Sequence, residues 1–160
     1  MNITTVAISA VATMATAAGI GIAAPPTSSG DNYPVIQKFG TEETLVDNGG
    51  AIVQGWTVSN LQPSTDSINY PVRGKLWEAT ATDRAIAGTV VPFPMHLNAR
   101  APSGQNYPNL AWVAAPNAFQ TGNIGQGQER TGKVYFDVTG QDPDGVVYIT
   151  AARDLLFWVK

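Results

Sequence analysis

The C-terminal two thirds of the chain alternate short runs of β-branched and aromatic residues with Gly, Asn, Asp and Pro, the punctuation expected of strands separated by turns. No stretch keeps a helical period through three turns. The pattern predicts strands over Ile52–Val58, Lys75–Thr82, Ala85–Val91, Leu110–Ala114, Lys133–Thr139, Val146–Ala151 and Asp154–Val159. In Lys133–Thr139, Val134, Phe136 and Val138 alternate with Lys133, Tyr135 and Asp137, so one face is apolar and the strand is half buried. In Lys75–Thr82, Trp77 shares a phase with Ala79 and Ala81 against Glu78, Thr80 and Thr82, which predicts a buried Trp77. Asp47–Gly50 and Asp142–Gly145 lie between such runs and carry residues that tolerate positive φ, so both are expected to be hairpin turns. The expected fold class is all-β: about seven to nine short strands forming a sandwich of two antiparallel sheets, with a small barrel as the alternative.

Asn-Tyr-Pro recurs at residues 32, 69 and 106. The first two copies continue as YPVIQK and YPVRGK, but the third continues as YPNLAW, and a solenoid needs its hydrophobic pattern to persist through each unit. The motif is therefore taken as a strand opening, with Pro where no ladder donor is needed.

The N-terminal segment changes the picture of where the domain begins. From Val6 to Ala24 there is no charged residue, and the run closes on Gly21-Ile22-Ala23 before Ala24-Pro25-Pro26. Small residues at −3 and −1 predict a signal peptide cleaved after Ala23 or Ala24. A spanning helix is the competing reading, opposed by Gly19, Gly21, Pro25 and the lack of a basic stop-transfer flank. Residues 1–23 are thus expected to be a signal peptide, 24–32 a flexible Pro/Ser/Gly tether and 33–160 the β-sandwich domain.

Charge and composition then narrow the partners. Of 160 residues, 44% are hydrophobic; nine Lys and Arg stand against twelve Asp and Glu, a net charge of −3. With no basic cluster, nucleic acid and anionic head groups are poor partners. Cysteine is absent, so no disulfide frame or thiolate metal site exists, and the exported domain must be held by its core.

Candidate chemistry is sparse. Gly127–Lys133, GQERTGK, matches the start of a phosphate-binding loop, but Val134 stands where a metal-binding Ser or Thr is needed and a strand follows where a helix is required. His96 is the sole histidine and no serine sits in a GxSxG elbow, so a nucleophilic triad lacks its parts. One His without Cys argues against a transition-metal site, and Asp142 and Asp144 supply only a fragment of a calcium loop. Glu78, Asp83 and Asp137 could form a glycosidase pair only if two of them faced each other across a cleft; Glu78 and Asp137 fall on the outward phase. Trp56, Trp77, Trp112 and Trp158 each lie within a β-like run, which predicts core packing; exposed, they would suggest carbohydrate stacking or a protein interface.

The segments GWTVSNLQPST (Gly55–Thr65), YPVRGKLWEATATDRAIAGTV (Tyr70–Val90), LNAR (Leu97–Arg100), TGKVYFDVTG (Thr131–Gly140) and DLLFW (Asp154–Trp158) resemble, in order, the mycobacterial secreted antigen family known as MPT sixty-three or MPB sixty-three. That resemblance implies an immunoglobulin-like antiparallel β-sandwich without disulfides, export to the medium, strong immunogenicity in the host and no established biochemical activity. It offers no catalytic residue to carry over, so no catalytic, cofactor-binding or metal site is assigned and no cofactor is expected. The longer Pro/Ser tether and the Pro-rich Pro92–Met95 loop depart from the family. The expected function is a secreted non-catalytic module contacting a protein or envelope component, of host or bacterium, with no nucleic acid and no stable membrane insertion after cleavage. A weak hydrolase or a carbohydrate-binding protein is the alternative.

Overall fold

The computed structural model describes residues 34–151 and 153–160; the segments expected to be signal peptide and tether, and Tyr33, lie outside them. Nine strands run β1 (Ile36–Lys38), β2 (Glu42–Asp47), β3 (Ile52–Pro63), β4 (Lys75–Ala87), β5 (Leu97–Arg100), β6 (Asn106–Pro108), β7 (Glu129–Val138), β8 (Gly145–Thr150) and β9 (Arg153–Val159). They form a four-stranded sheet in the order β2-β3-β4-β7 and a five-stranded sheet in the order β1-β9-β8-β5-β6. Every pairing is antiparallel except β1 with β9, which is parallel. The result is an immunoglobulin-like β-sandwich without cysteine.

Alternation determines what fills the space between the sheets. Trp56, Val58, Trp77, Ala79, Ala81, Val134, Phe136 and Val138 face inward from the four-stranded sheet and meet Leu97, Ala99, Tyr107, Val146, Tyr148, Leu156 and Trp158 from the other. Small Ala79 and Ala81 make room for rings: Trp56 sits 5.6 Å from Phe119 and 5.7 Å from Tyr148, centroid to centroid. The Trp158 indole N–H donates to the Thr41 carbonyl at 2.9 Å. Trp77 is buried on the expected phase, as are Val134, Phe136, Val138, Leu156 and Trp158.

A bulge accounts for the one phase change along β3. Ser59 pairs with Thr80 and Gln62 with Glu78, so β3 carries one extra residue, and Asn60 adopts φ 54°. Beyond it Leu61 is buried where Trp56 and Val58 were before it, the re-aiming that bulges produce.

Four sequence expectations are corrected. Lys75–Thr82 and Ala85–Val91 are one continuous strand ending at Ala87, because Asp83 and Arg84, which looked like a break, are paired on opposite faces of β4. Leu110–Ala114 is a loop, not a strand, and its Trp112 is 82% exposed; the other three tryptophans are buried. Asp142–Gly145 is not a hairpin: β7 and β8 belong to different sheets, and the segment crosses between them, the Asp144 N–H reaching the Arg100 carbonyl at 3.1 Å. Strands β1, β2, β5 and β6 lay outside the strands expected from alternation. Asp47–Gly50 does close the β2–β3 hairpin, with Gly49 at φ 65° and Gly50 at φ 92°. The two described Asn-Tyr-Pro copies diverge, Tyr107 lying buried on β6 and Tyr70 in a loop; Asn32 and Tyr33 of the first copy lie outside the described residues.

Candidate functional site

The outward phase of the four-stranded sheet is polar across its width. Register aligns Glu42, Thr57, Thr82 and Thr131 in one row, Ser59, Thr80 and Lys133 in the next, and Gln62, Glu78 and Tyr135 in a third. Thr82 and Thr131 share a hydroxyl hydrogen bond of 2.7 Å. In the third row Glu78 accepts from Ser64 Oγ at 2.5 Å, Lys133 Nζ at 3.0 Å and Gln62 Nε2 at 3.2 Å. The Lys133 ammonium also reaches Asp66 at 2.7 Å, and the Tyr135 hydroxyl lies 2.7 Å from the same Asp66 oxygen. The bond from Lys133 holds the Asp66 carboxyl below its ordinary range, and Asp66 in turn raises the Lys133 pKa.

The loop from Asn109 to Phe119 lies along the outer edge of β7. Leu110 N–H donates to Tyr135 O, Lys133 N–H to Asn117 O and Phe119 N–H to Lys133 O, all at 2.8 Å. The loop thereby occupies ladder groups that an edge strand would otherwise offer to another chain. Asn117 adopts φ 56°, a left-handed conformation that Asn tolerates better than most residues. Where this loop passes the strand it walls a shallow depression of about 420 Å³, with Thr80, Thr131 and Lys133 on its sheet side and Ala115, Asn117 and Gln120 on its loop side.

A second loop, Val91–His96, packs beside the first through Asn109, whose side-chain amide donates to the Pro94 carbonyl at 2.9 Å. Pro92 and Pro94 are buried while Val91, Phe93 and Met95 stand in solvent. His96 lies at the end of this loop, its Nδ1 3.2 Å from the Tyr148 hydroxyl and its ring stacked on Phe93. Burial lowers its pKa, so it is neutral near pH 7 and tied to the core. Between the two loops is a cavity of about 10 Å³, room for about one water.

The carboxylates weighed as a catalytic pair are each engaged in a different set of hydrogen bonds. Glu78 lies on the outer face within the lysine network, buried by it despite its outward phase. Asp83 points inward and is fully buried, its Oδ2 accepting from Gln54 Nε2 at 2.5 Å. Asp137 accepts the Arg73 and Gly74 N–H groups at 3.0 and 2.8 Å and so anchors a loop. Asp142 pairs with Lys75 at 3.2 Å. Gly127–Lys133 enters β7 directly, without a helix.

A buried carboxylate that alternation did not single out is Glu43. Glu43, Trp56 and Asp83 occupy one inward row across β2, β3 and β4. Glu43 accepts the Phe157 N–H at 3.1 Å and so links β2 to the other sheet. Burial pushes the Glu43 pKa up to about 8 and that of Asp83 to about 7. Continuing the alternation of β4 through Trp77, Ala79 and Ala81 places Asp83 inward; that was the signal available. Among the described residues no three His, Cys, Asp or Glu are gathered as metal ligands.

A disulfide-free immunoglobulin-like sandwich, with a polar sheet face flanked by two apolar-tipped loops, is the class these features define. The chain belongs to the family described as a domain of unknown function, DUF1942, whose pattern it matches over residues 34–158. It is 45% identical, over 99% of both chains, to the immunogenic protein MPB63 of Mycobacterium bovis and to the immunogenic protein MPT63 of Mycobacterium tuberculosis. The 1.5 Å crystal structure of MPT63, described as a secreted protein, superimposes with a TM-score of 0.77, covering 81% of this chain and all of that one. None of these relatives bears an enzyme's name.

Proposed function

We propose that this protein is an exported, non-catalytic immunogenic protein that acts as an interaction module through the paired loops Val91–His96 and Asn109–Phe119. The observation that carries the reading is the set of large apolar side chains those loops hold in water: Trp112 at 82% exposure, Phe93 at 47%, and Val91 and Met95 beside them. Side chains of this kind, seated on a rigid scaffold, are the usual anchors of protein interfaces. Buried Pro92 and Pro94 and the Asn109–Pro94 bond limit the entropy lost on docking. The scattered carboxylates and the His96–Tyr148 tie argue against general acid–base catalysis, which needs the groups to converge on one substrate.

Residues 34–160, immobilised, are expected to retain a component from host-cell-surface or bacterial-envelope fractions, and the double variant Phe93→Ala/Trp112→Ala to lose it. Equal capture by wild type and variant would remove the loops from the interaction. Export is supported by the apolar segment ending at Ala23 and by a relative described as secreted; among the described residues no helix is long and apolar enough to cross a membrane. N-terminal sequencing of culture-medium protein is expected to begin at Ala24 or the next residue. Retention of Met1–Ala23 in a membrane fraction would contradict it.

A further inference from the structure

We propose that Met95 is a reversible oxidation site controlling the apolar surface of the Val91–His96 loop: hydrogen peroxide converts its thioether to the sulfoxide and weakens docking, and reduction restores it. This rests on the interaction-module reading and adds its regulation. Methionine occurs at positions 1, 14 and 95 and cysteine nowhere, so Met95 carries the one sulfur atom among the described residues. Its side chain is 39% exposed and belongs to neither buried core cluster. Exposure alternates along the loop: Val91, Phe93 and Met95 stand in solvent, with Pro92 and Pro94 buried between them. Met95 is therefore the third member of a short apolar row, and the member of that row that peroxide attacks.

The backbone on both sides fixes its position. Pro94 is buried, and its carbonyl accepts the Leu97 N–H and, at 2.9 Å, the Asn109 amide. His96 has its ring 3.2 Å from the Tyr148 hydroxyl and its carbonyl accepting the Asn98 amide at 2.9 Å, and Leu97 is fully buried. A single helical turn pinned at both ends does not draw Met95 into the core, so a change in its polarity is expressed at the surface. In the reaction a sulfur lone pair attacks one peroxide oxygen, forming the S–O bond as the O–O bond breaks. The hydroxide released takes the proton of the sulfur-bound hydroxyl and leaves as water; sulfur has lost two electrons and peroxide has gained them. No prior ionisation is needed, unlike a thiol. A methionine sulfoxide reductase supplied with a dithiol returns both electrons, the oxygen leaving as water and the dithiol becoming a disulfide. The sulfoxide oxygen is a strong acceptor, so covering it with an apolar partner strips its water without replacement.

The full chain is treated with hydrogen peroxide beside N-acetylmethionine amide, and the tryptic peptide Ala85–Arg100, which holds Met95 and no other methionine, is followed by mass. It is expected to gain one oxygen at a rate within about threefold of the free amide, with circular dichroism and the urea midpoint unchanged. The oxidised protein is expected to elute earlier from phenyl-agarose, and its capture of the component retained from the host-surface or envelope fraction to fall roughly tenfold, the loss of one anchor. Sulfoxide reductases with dithiothreitol are expected to restore both, and Met95→Leu to keep both under peroxide. Strong protection of Met95, a lowered urea midpoint, unchanged elution after oxidation, or an equal loss in Met95→Leu would overturn the inference. Oxidation at Met95 with capture intact would overturn it and leave the interaction module standing, whereas capture that also survives Phe93→Ala/Trp112→Ala would overturn both.

Discussion

Asp83 concentrates the electrostatic cost of the fold in one residue. Its carboxyl is fully buried, and burial raises its pKa to about 7 from an ordinary 3.8. Between those values the folded chain carries a proton that the unfolded chain has released. Stability from this group is therefore present at low pH and lost as pH rises from about 4 to 7, at up to about 1.4 kcal/mol per pH unit. Glu43, raised to about 8, acts in the same sense; His96, lowered by burial, acts in the opposite sense below its unfolded pKa. Asp83→Asn is expected to be more stable than wild type at pH 8 and to flatten the dependence on pH between 5 and 8 in urea melts. An unchanged slope would mean that Asp83 is ionised in the folded state. The tryptophans offer a second contrast at this scale. Trp77→Ala is expected to cost roughly 3–5 kcal/mol by opening the core, and Trp112→Ala to change stability by less than about 0.5 kcal/mol. Equal losses in the two melts would contradict their opposite exposures.

Among the elements, β7 depends most on a neighbour distant in sequence. As the last strand of its sheet it is protected by the Asn109–Phe119 loop, and that contact is close because Gly132 has no side chain: a Cβ there would lie 2.4 Å from Phe119 Cα and 2.7 Å from its nitrogen. Backbone at that distance cannot move aside independently of the loop. Gly132→Ala is expected to lift the loop, destabilise the domain by about 1–3 kcal/mol and speed hydrogen exchange at the Phe119 and Lys133 amides, while β8 and β9 keep their protection. Uniform acceleration across both sheets would instead mean that the loop and the core open as one unit. The same loop supplies Ala115 and Asn117 to the wall of the depression, so the depression and the protected edge depend on one contact.

For the molecule as a whole, stability has to come from burial between the sheets. There is no cysteine, and the acidic crossover has Asp142 engaged by Lys75. Thermal melts in excess EDTA and in millimolar calcium are accordingly expected to coincide. A ligand held by the folded state alone adds about 2.7 kcal/mol at 100 times its dissociation constant, so opposite shifts in the two conditions would bring Asp142 and Asp144 forward as ligands. Links between the sheets follow the same logic of few, buried contacts: the Glu43 carboxylate on the Phe157 N–H and the Trp158 indole on the Thr41 carbonyl tie β2 and the turn before it to β9.

Alternation with period two is a local property, and it was enough to establish the all-β class, the strands carrying Trp56, Trp77, Phe136, Tyr148 and Trp158, and the inward phase of Trp77. It was also enough to dismiss GQERTGK as a phosphate loop, since the strand that follows is written in VYFDV. What alternation cannot carry is the identity of each strand's neighbour. The parallel pairing of β1 with β9, the passage of Asp142–Gly145 between sheets and the loop along β7 all join residues far apart in the chain, through groups every backbone possesses. Burial of Asp83 and exposure of Trp112 reverse what their residue types favour. The inward phase of Asp83 is written locally, in the alternation of Trp77, Ala79 and Ala81 along β4, whereas the exposure of Trp112 follows from tertiary placement, on a loop whose backbone, rather than its ring, pairs with the edge of β7.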